Sequence, residues 1–185
     1  MIGRDILFAL WLFWPAGVAT LIPVLAAHTP ILKRWNAPMD AGRSWRSHRL
    51  LGDHKTWRGF LAGWLAGSLW AWVQTIFYNH IDSVHSIYPS GFNVGLFFAA
   101  GVLISLGAVV GDAVGSLVKR QLDIASGQSW FPWDQLDFII GGLVLSLLVV
   151  RLPWTEYIVI PIVWLGVHLL FGALGYVIKL KPAVI

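Results

Sequence analysis

The chain has 185 residues, 57% of them hydrophobic and only 12% charged, with twelve tryptophans, no cysteine and a formal net charge of +4. This composition excludes a separate soluble domain, a disulfide framework and a thiolate metal centre. The basic residues border apolar runs, which points to anionic headgroups and nucleotide phosphates as partners and away from nucleic acid.

Apolar stretches of about 20 residues, each about long enough for a ~30 Å hydrocarbon core, recur along the chain. No alternating β-barrel pattern accompanies them, so the expected fold is an all-α integral membrane protein. The spacing predicts about five transmembrane helices in one multi-pass domain covering residues 1–185. The first span covers Ile6 to Ala27. A cleaved signal peptide is the competing reading, but this apolar core is too long for one, contains Pro15 and Pro23, and has a dense basic stretch after it.

That stretch carries Lys33, Arg34, Arg43, Arg46, Arg49, Lys55 and Arg58. The second span is Gly59 to Tyr78, and the loop from Asn79 to Phe92 has no lysine or arginine. The third span, Asn93 to Val118, ends in Lys119-Arg120; the fourth is a short Leu136 to Val150; the fifth, Tyr157 to Ile178, meets Lys179 and Lys181. Basic residues on alternate loops predict an external N-terminus and a cytoplasmic C-terminus in the cell membrane, with a polar cavity facing the cytoplasm. Glycines at helical spacing, Gly59, Gly63 and Gly67 and then Gly107, Gly111 and Gly115, predict close helix packing, with a lipid-chain groove as the alternative.

Asp112 falls near the end of the third span, where an ionised carboxylate needs pairing or hydration. On a continuous helix Asp112, Ser116 and Lys119 lie at i, i+4 and i+7 and form one polar stripe. Asp134 and Asp137 open the fourth span. Three carboxylates suit Mg²⁺, a hard cation that prefers oxygen ligands, and the adjoining bases suit phosphate. Each has a plainer reading: an N-cap for Asp134 with Asp137 at N3, and a structural ion pair of Asp112 with Lys119 or Arg120.

In the first basic loop, Gly52, Lys55, Thr56 and Gly59 cluster at a helix start suited to a polyphosphate, although a topology-setting loop would look similar. It lacks the Gly-x-x-x-x-Gly-Lys-Thr of a P-loop. His80, Asp82 and His85 mimic a metal cluster but lie on the external side without supporting ligands. His168 reads as hydrogen-bonded packing before a proton relay.

Taken together, Gly52-Asp53-His54-Lys55-Thr56-Trp57-Arg58-Gly59, Gly111-Asp112-x-x-Gly115-Ser116-x-x-Lys119-Arg120 and Asp134-Gln135-Leu136-Asp137-Phe138 resemble the CDP-archaeol synthases, and more distantly the CDP-diacylglycerol synthases. Pro15-Ala16 and Pro38-Met39-Asp40-x-Gly42 extend the resemblance over nearly the whole chain. The chain departs from the archaeol-type pattern at Ala19-Thr20, in place of Ala-Asn, and at Ser47-His48-Arg49, which lacks the preceding Asp-Gly. It also has no Pro-Gly-His-Gly-Gly element between Gln121 and Trp133, which favours the archaeol-type branch.

The resemblance implies transfer of CMP from CTP to a lipid glycerol phosphate in phospholipid synthesis, with release of diphosphate. It implies Mg²⁺ held by Asp112, Asp134 and Asp137, with Lys119 among the catalytic residues. Lys55, Thr56, Ser116, Arg120 and Arg49 are the expected substrate residues. The expected partners are CTP, an isoprenoid-ether or acyl glycerol-phosphate lipid and the bilayer; a homodimer is admitted. A diacylglycerol-type enzyme acting on phosphatidic acid is the nearer alternative, and a small transporter or assembly subunit is the alternative without chemistry.

Overall fold

The computed structural model describes residues 2–29, 34–45, 48–52, 54–88, 93–125 and 128–177. Lys33, Arg46, Ser47, Asp53, Ile178, Lys179 and Lys181, named above, lie outside the described residues. Helix α1 spans Ile2–His28, and a two-residue antiparallel hairpin of β1 (Ser44–Trp45) and β2 (His48–Arg49) follows in the basic loop. Helix α2 spans Trp57–His80, the single turn α3 Asp82–His85, α4 Val94–Gln121, α5 Trp133–Ser146 and α6 Glu156–Val177.

Four of these helices, α1, α2, α4 and α6, are long and apolar enough to cross a membrane. The fourth expected span is shorter than the others. Helix α5 has 14 residues, about 21 Å at ~1.5 Å per residue, which is less than a ~30 Å core. Its chain leaves the helix in a turn where Val149 and Val150 N–H both donate to the Ser146 carbonyl.

Helix α4 is the centre of the bundle: half of its span is buried, against 17% for α6. Its most extensive contact is with α5, and glycines make that contact possible. A Cβ at Gly107 would fall on the Gly141 carbonyl oxygen and one at Gly111 on the Asp137 carbonyl oxygen. The core joins Phe8, Leu12 and Phe13 of α1 to Phe97 and Ile104 of α4, Ile139 of α5 and Ile160 of α6. The second glycine series packs too: a Cβ at Gly63 would strike the Ala19 carbonyl oxygen, and one at Gly67 would lie 2.7 Å from the Pro15 carbonyl oxygen. Both series therefore serve close packing.

The prolines of α1 explain how it meets α2. Pro15 has no N–H to give the carbonyl of Trp11, four residues back. The Gln74 amide of α2 donates to that carbonyl at 2.6 Å. Pro23 likewise leaves the Ala19 carbonyl, and Gly63 brings α2 directly against it. In hydrocarbon a backbone acceptor has no water to turn to, so such substitutes matter. Trp164 fastens α6 to α1 through its indole N–H, which donates to the Ala9 carbonyl at 2.9 Å.

Candidate active site

Three helix ends meet at one side of the bundle: the start of α2, the last turns of α4 and the start of α5. Helix N-termini present free N–H groups and partial positive charge, and α4 ends in Lys119 and Arg120, which its C-terminus favours. Between them is a cavity of about 240 Å³ lined by Lys55, Asp112, Ser116, Lys119, Arg120, Asp134 and Asp137, together with Leu51 and His54. Seven of the nine residues expected from the sequence are thus brought together. Leu51 and His54 were not singled out, although His54 adjoins the Gly52–Lys55 cluster.

Asp112 lies nine residues before the end of α4, about 14 Å inside the helix at ~1.5 Å per residue. Its partner is neither Lys119 nor Arg120: the Lys55 ammonium donates to its Oδ2 at 2.5 Å. The plainer reading of Asp112 as an ion-pair member therefore has a partner from a different loop, 57 residues away. Lys119 is committed elsewhere. Its ammonium donates to the Gln128 carbonyl at 2.7 Å and to Asp134 Oδ1 and Oδ2 at 2.9 and 2.7 Å, using all three donors. Asp134 Oδ2 also accepts from the Trp130 N–H at 2.9 Å. Asp134 does not cap α5: the N-cap position is Pro132, without a side-chain cap. From the cavity wall, Lys119 and Asp134 thus hold Gln128 and Trp130 of the loop between α4 and α5.

Asp137 presents its carboxylate between α4 and α5, with Oδ1 accepting from the Phe138 N–H at 2.6 Å. Arg120 donates from its terminal guanidinium nitrogen to the Ile124 carbonyl, while its Nε is buried with no hydrogen-bond partner among the described residues.

Two expected substrate residues are placed outside the cavity lining. Thr56 is buried as the N-cap of α2, its hydroxyl accepting from the Gly59 N–H at 3.2 Å. Arg49 turns toward Asp40, donating from Nε and its terminal nitrogen at 3.2 and 3.3 Å. The physical reason is that Asp40 is buried and needs those donors. It also accepts from the N–H groups of Gly42 at 3.0 Å and Leu51 at 3.1 Å. Burial alone would raise the Asp40 pKa, but these hydrogen bonds and the Arg49 charge outweigh it and hold the carboxyl below its ordinary value.

Asp40, within the Pro38-Met39-Asp40-x-Gly42 segment, thus ties Gly42, Arg49 and Leu51 of the basic loop together. The loop's base is tied by Met39 N–H to the Lys55 carbonyl at 2.9 Å and Trp57 N–H to the Ala37 carbonyl at 3.0 Å. Its hairpin reaches the turn after α4, where His48 Nδ1 lies 2.9 Å from Asp123 Oδ1.

The other candidate groups, His80, Asp82, His85 and His168, are exposed and lie outside the cavity lining. His80 places Nδ1 2.8 Å from the Ile76 carbonyl, the His85 ring lies 4.7 Å from that of Tyr78, and the His168 ring lies 6.2 Å from that of Phe138. Among the described residues no three His, Cys, Asp or Glu side chains already converge as a metal cluster. The cavity lining nonetheless includes three carboxylates and no sulfur, the ligand chemistry that a hard cation prefers.

The family model described as CarS-like, CDP-archaeol synthase, matches residues 2–184. A CDP-archaeol synthase of Pyrococcus furiosus is 35% identical over 179 residues, 96% of this chain and 97% of that protein. One of Methanocaldococcus jannaschii is 34% identical over 187 residues, 98% of each. A solved structure described as an intramembrane enzyme for archaeal membrane lipids biosynthesis is 32% identical, covers 91% of this chain and 94% of its own, and superposes with a TM-score of 0.74. The order of the motifs, the multi-pass helical bundle and these matches agree: the chain belongs to the CDP-archaeol synthase family.

Proposed function

We propose that this protein transfers CMP from CTP to an archaeol-type lipid glycerol phosphate, forming a CDP-activated lipid and diphosphate. The observation that carries this reading is the cavity at the membrane edge, where three carboxylates and three cations from distant parts of the chain line one space. A polyphosphate with its counter-cation is the ligand class that such a mixed set suits. The relatives named for archaeol favour an ether lipid over phosphatidic acid.

In the reaction an oxygen of the lipid phosphate attacks the α-phosphorus of CTP in line, the bond from that phosphorus to the bridging oxygen breaks, and diphosphate leaves with that electron pair. A phosphate near pH 7 is already largely ionised, so no general base is required. The chain's work is positioning and charge stabilisation. Lys55, released from Asp112 by the incoming ligand, neutralises phosphate charge at the start of α2. Arg120, in the cavity lining, does so at the end of α4. Lys119 and Asp134 keep the α4–α5 loop in shape, and Asp40 with Arg49 fixes the loop that carries Lys55. Asp112 and Asp137 would hold Mg²⁺, with Asp134 as the third carboxylate within reach of the cavity. When bound, the ion supplies Lewis-acid neutralisation of the phosphate oxygens. The site faces the cytoplasm, where CTP is available, and the lipid enters from the bilayer.

The test is reconstitution into liposomes with CTP and Mg²⁺, offering an archaeol-type ether phosphate or phosphatidic acid. Diphosphate release and CDP-lipid formation should be faster with the ether lipid. Preference for phosphatidic acid would move the protein to the diacylglycerol-type activity, and no release with either would leave a non-catalytic membrane protein.

A further inference from the structure

Gly115 differs from the other glycines of α4 in what it faces. At Gly107 and Gly111 an added Cβ would meet the backbone of α5. At Gly115 all three of the nearest atoms belong to the Asp137 side chain: Oδ2 closest, then Cβ at 3.0 Å and Cγ at 3.1 Å. Gly115 is one turn from Asp112 on the same helix and next to Ser116, and Asp112, Ser116 and Asp137 all line the cavity. The empty Cβ position is therefore filled by the carboxylate arm of Asp137.

We propose that Gly115 is a positioning residue for the nucleotide site: it provides the space in which Asp137 lies against α4 and directs its carboxylate into the cavity beside Asp112. The inference rests on the reading of Asp137 as a member of the CTP and Mg²⁺ site. Packed helices leave little freedom for the backbone to yield, and an aspartate on a helix has few staggered alternatives. An alanine at 115 would meet the Asp137 carboxylate first, so swinging the carboxylate relieves the closest contact and leaves the Asp137 Cβ, at 3.0 Å, to give by a few tenths of an ångström. An alanine at 111 would instead press on the α5 backbone. Gly115→Ala should thus damage the site more than the fold, and Gly111→Ala the reverse.

The experiment uses the full-length protein in nanodiscs and measures retention of labelled CTP by equilibrium dialysis across a Mg²⁺ titration, alongside melting temperature. The variants are Gly115→Ala, Asp137→Ala and the double variant. Gly115→Ala should need about ten- to a hundredfold more Mg²⁺ for half-maximal CTP retention, the scale seen when a ligand's supporting contacts are disturbed. In the Asp137→Ala background the same alanine should change nothing further. Unchanged Mg²⁺ dependence in Gly115→Ala, or an equal loss from Gly115→Ala with and without Asp137, would overturn the proposal. If Asp137→Ala itself retains CTP with the parental Mg²⁺ dependence, the reading of Asp137 as a site residue fails first. Should Gly115→Ala not fold, the double variant decides: recovery of folding on removing the carboxylate supports the steric contact, and failure to recover contradicts it.

Discussion

At the scale of single residues, the polar lining of the cavity follows helical spacing. Asp112, Ser116 and Lys119 share a face by period alone, and Asp134 and Asp137 open the next helix. Pairing was not legible. Lys55 reaches Asp112 and Lys119 reaches Asp134 through loop closure, which no periodicity encodes. Arg49 shows the same limit, since its direction is set by Asp40, nine residues away in a non-repeating loop. Asp40 carries a testable consequence. Its folded pKa is depressed, so its contribution is present above the unfolded value near 3.9 and is lost as pH falls through the lower folded value. Asp40→Asn should cost about 1.5–3 kcal/mol at pH 7, the range for hydrogen bonds to charged groups. Melting in detergent should show a gap between parent and variant that stays constant from pH 7 to 5 and narrows only below about pH 4. A gap that closes near pH 6 would mean that a different group controls the loop.

Among the elements, the long apolar helices were readable from length, whereas the segment expected as a short fourth span, Leu136 to Val150, forms the 14-residue helix α5 and a turn. Its apolar composition continues to Val150, but the Ser146 turn ends the helix early. The α1–α2 contact depends on a carbonyl that Pro15 frees and Gln74 takes. A lone glutamine in an apolar run gives no sign of which acceptor it serves. Gln74→Met keeps the length of the side chain and removes the donor, so it should lower stability by about 0.6–2 kcal/mol, the scale of hydrogen bonds between membrane helices. Pro15→Ala restores an N–H for the Trp11 carbonyl, so Gln74→Met should cost less in that background. Thermal unfolding of the four proteins checks this, and equal losses in both backgrounds would refute the link.

For the whole molecule, a multi-pass bundle with its cavity residues gathered at the ends of three helices places the proposed chemistry where a water-soluble nucleotide and a lipid meet. The proposed orientation follows from basic loops, and the chain's lack of cysteine makes it simple to test. Ser86→Cys, in the exposed turn after α3, should be labelled by an impermeant thiol reagent outside intact cells, and Ser44→Cys in the hairpin should not. The reverse pattern would put the cavity on the side without CTP. The most direct test of the account as a whole is a cycle of Asp112→Asn and Lys55→Met, alone and together, scored for melting temperature, turnover and stabilisation by CTP with Mg²⁺. If Asp112 serves the nucleotide site, Asp112→Asn folds but is inactive and gains no stability from CTP and Mg²⁺, and adding Lys55→Met restores neither. If the pair is only structural, either single change costs up to about 3–5 kcal/mol by leaving one charge unpaired, an upper range because both groups are partly open to solvent. A double variant that regains both stability and turnover would contradict the account.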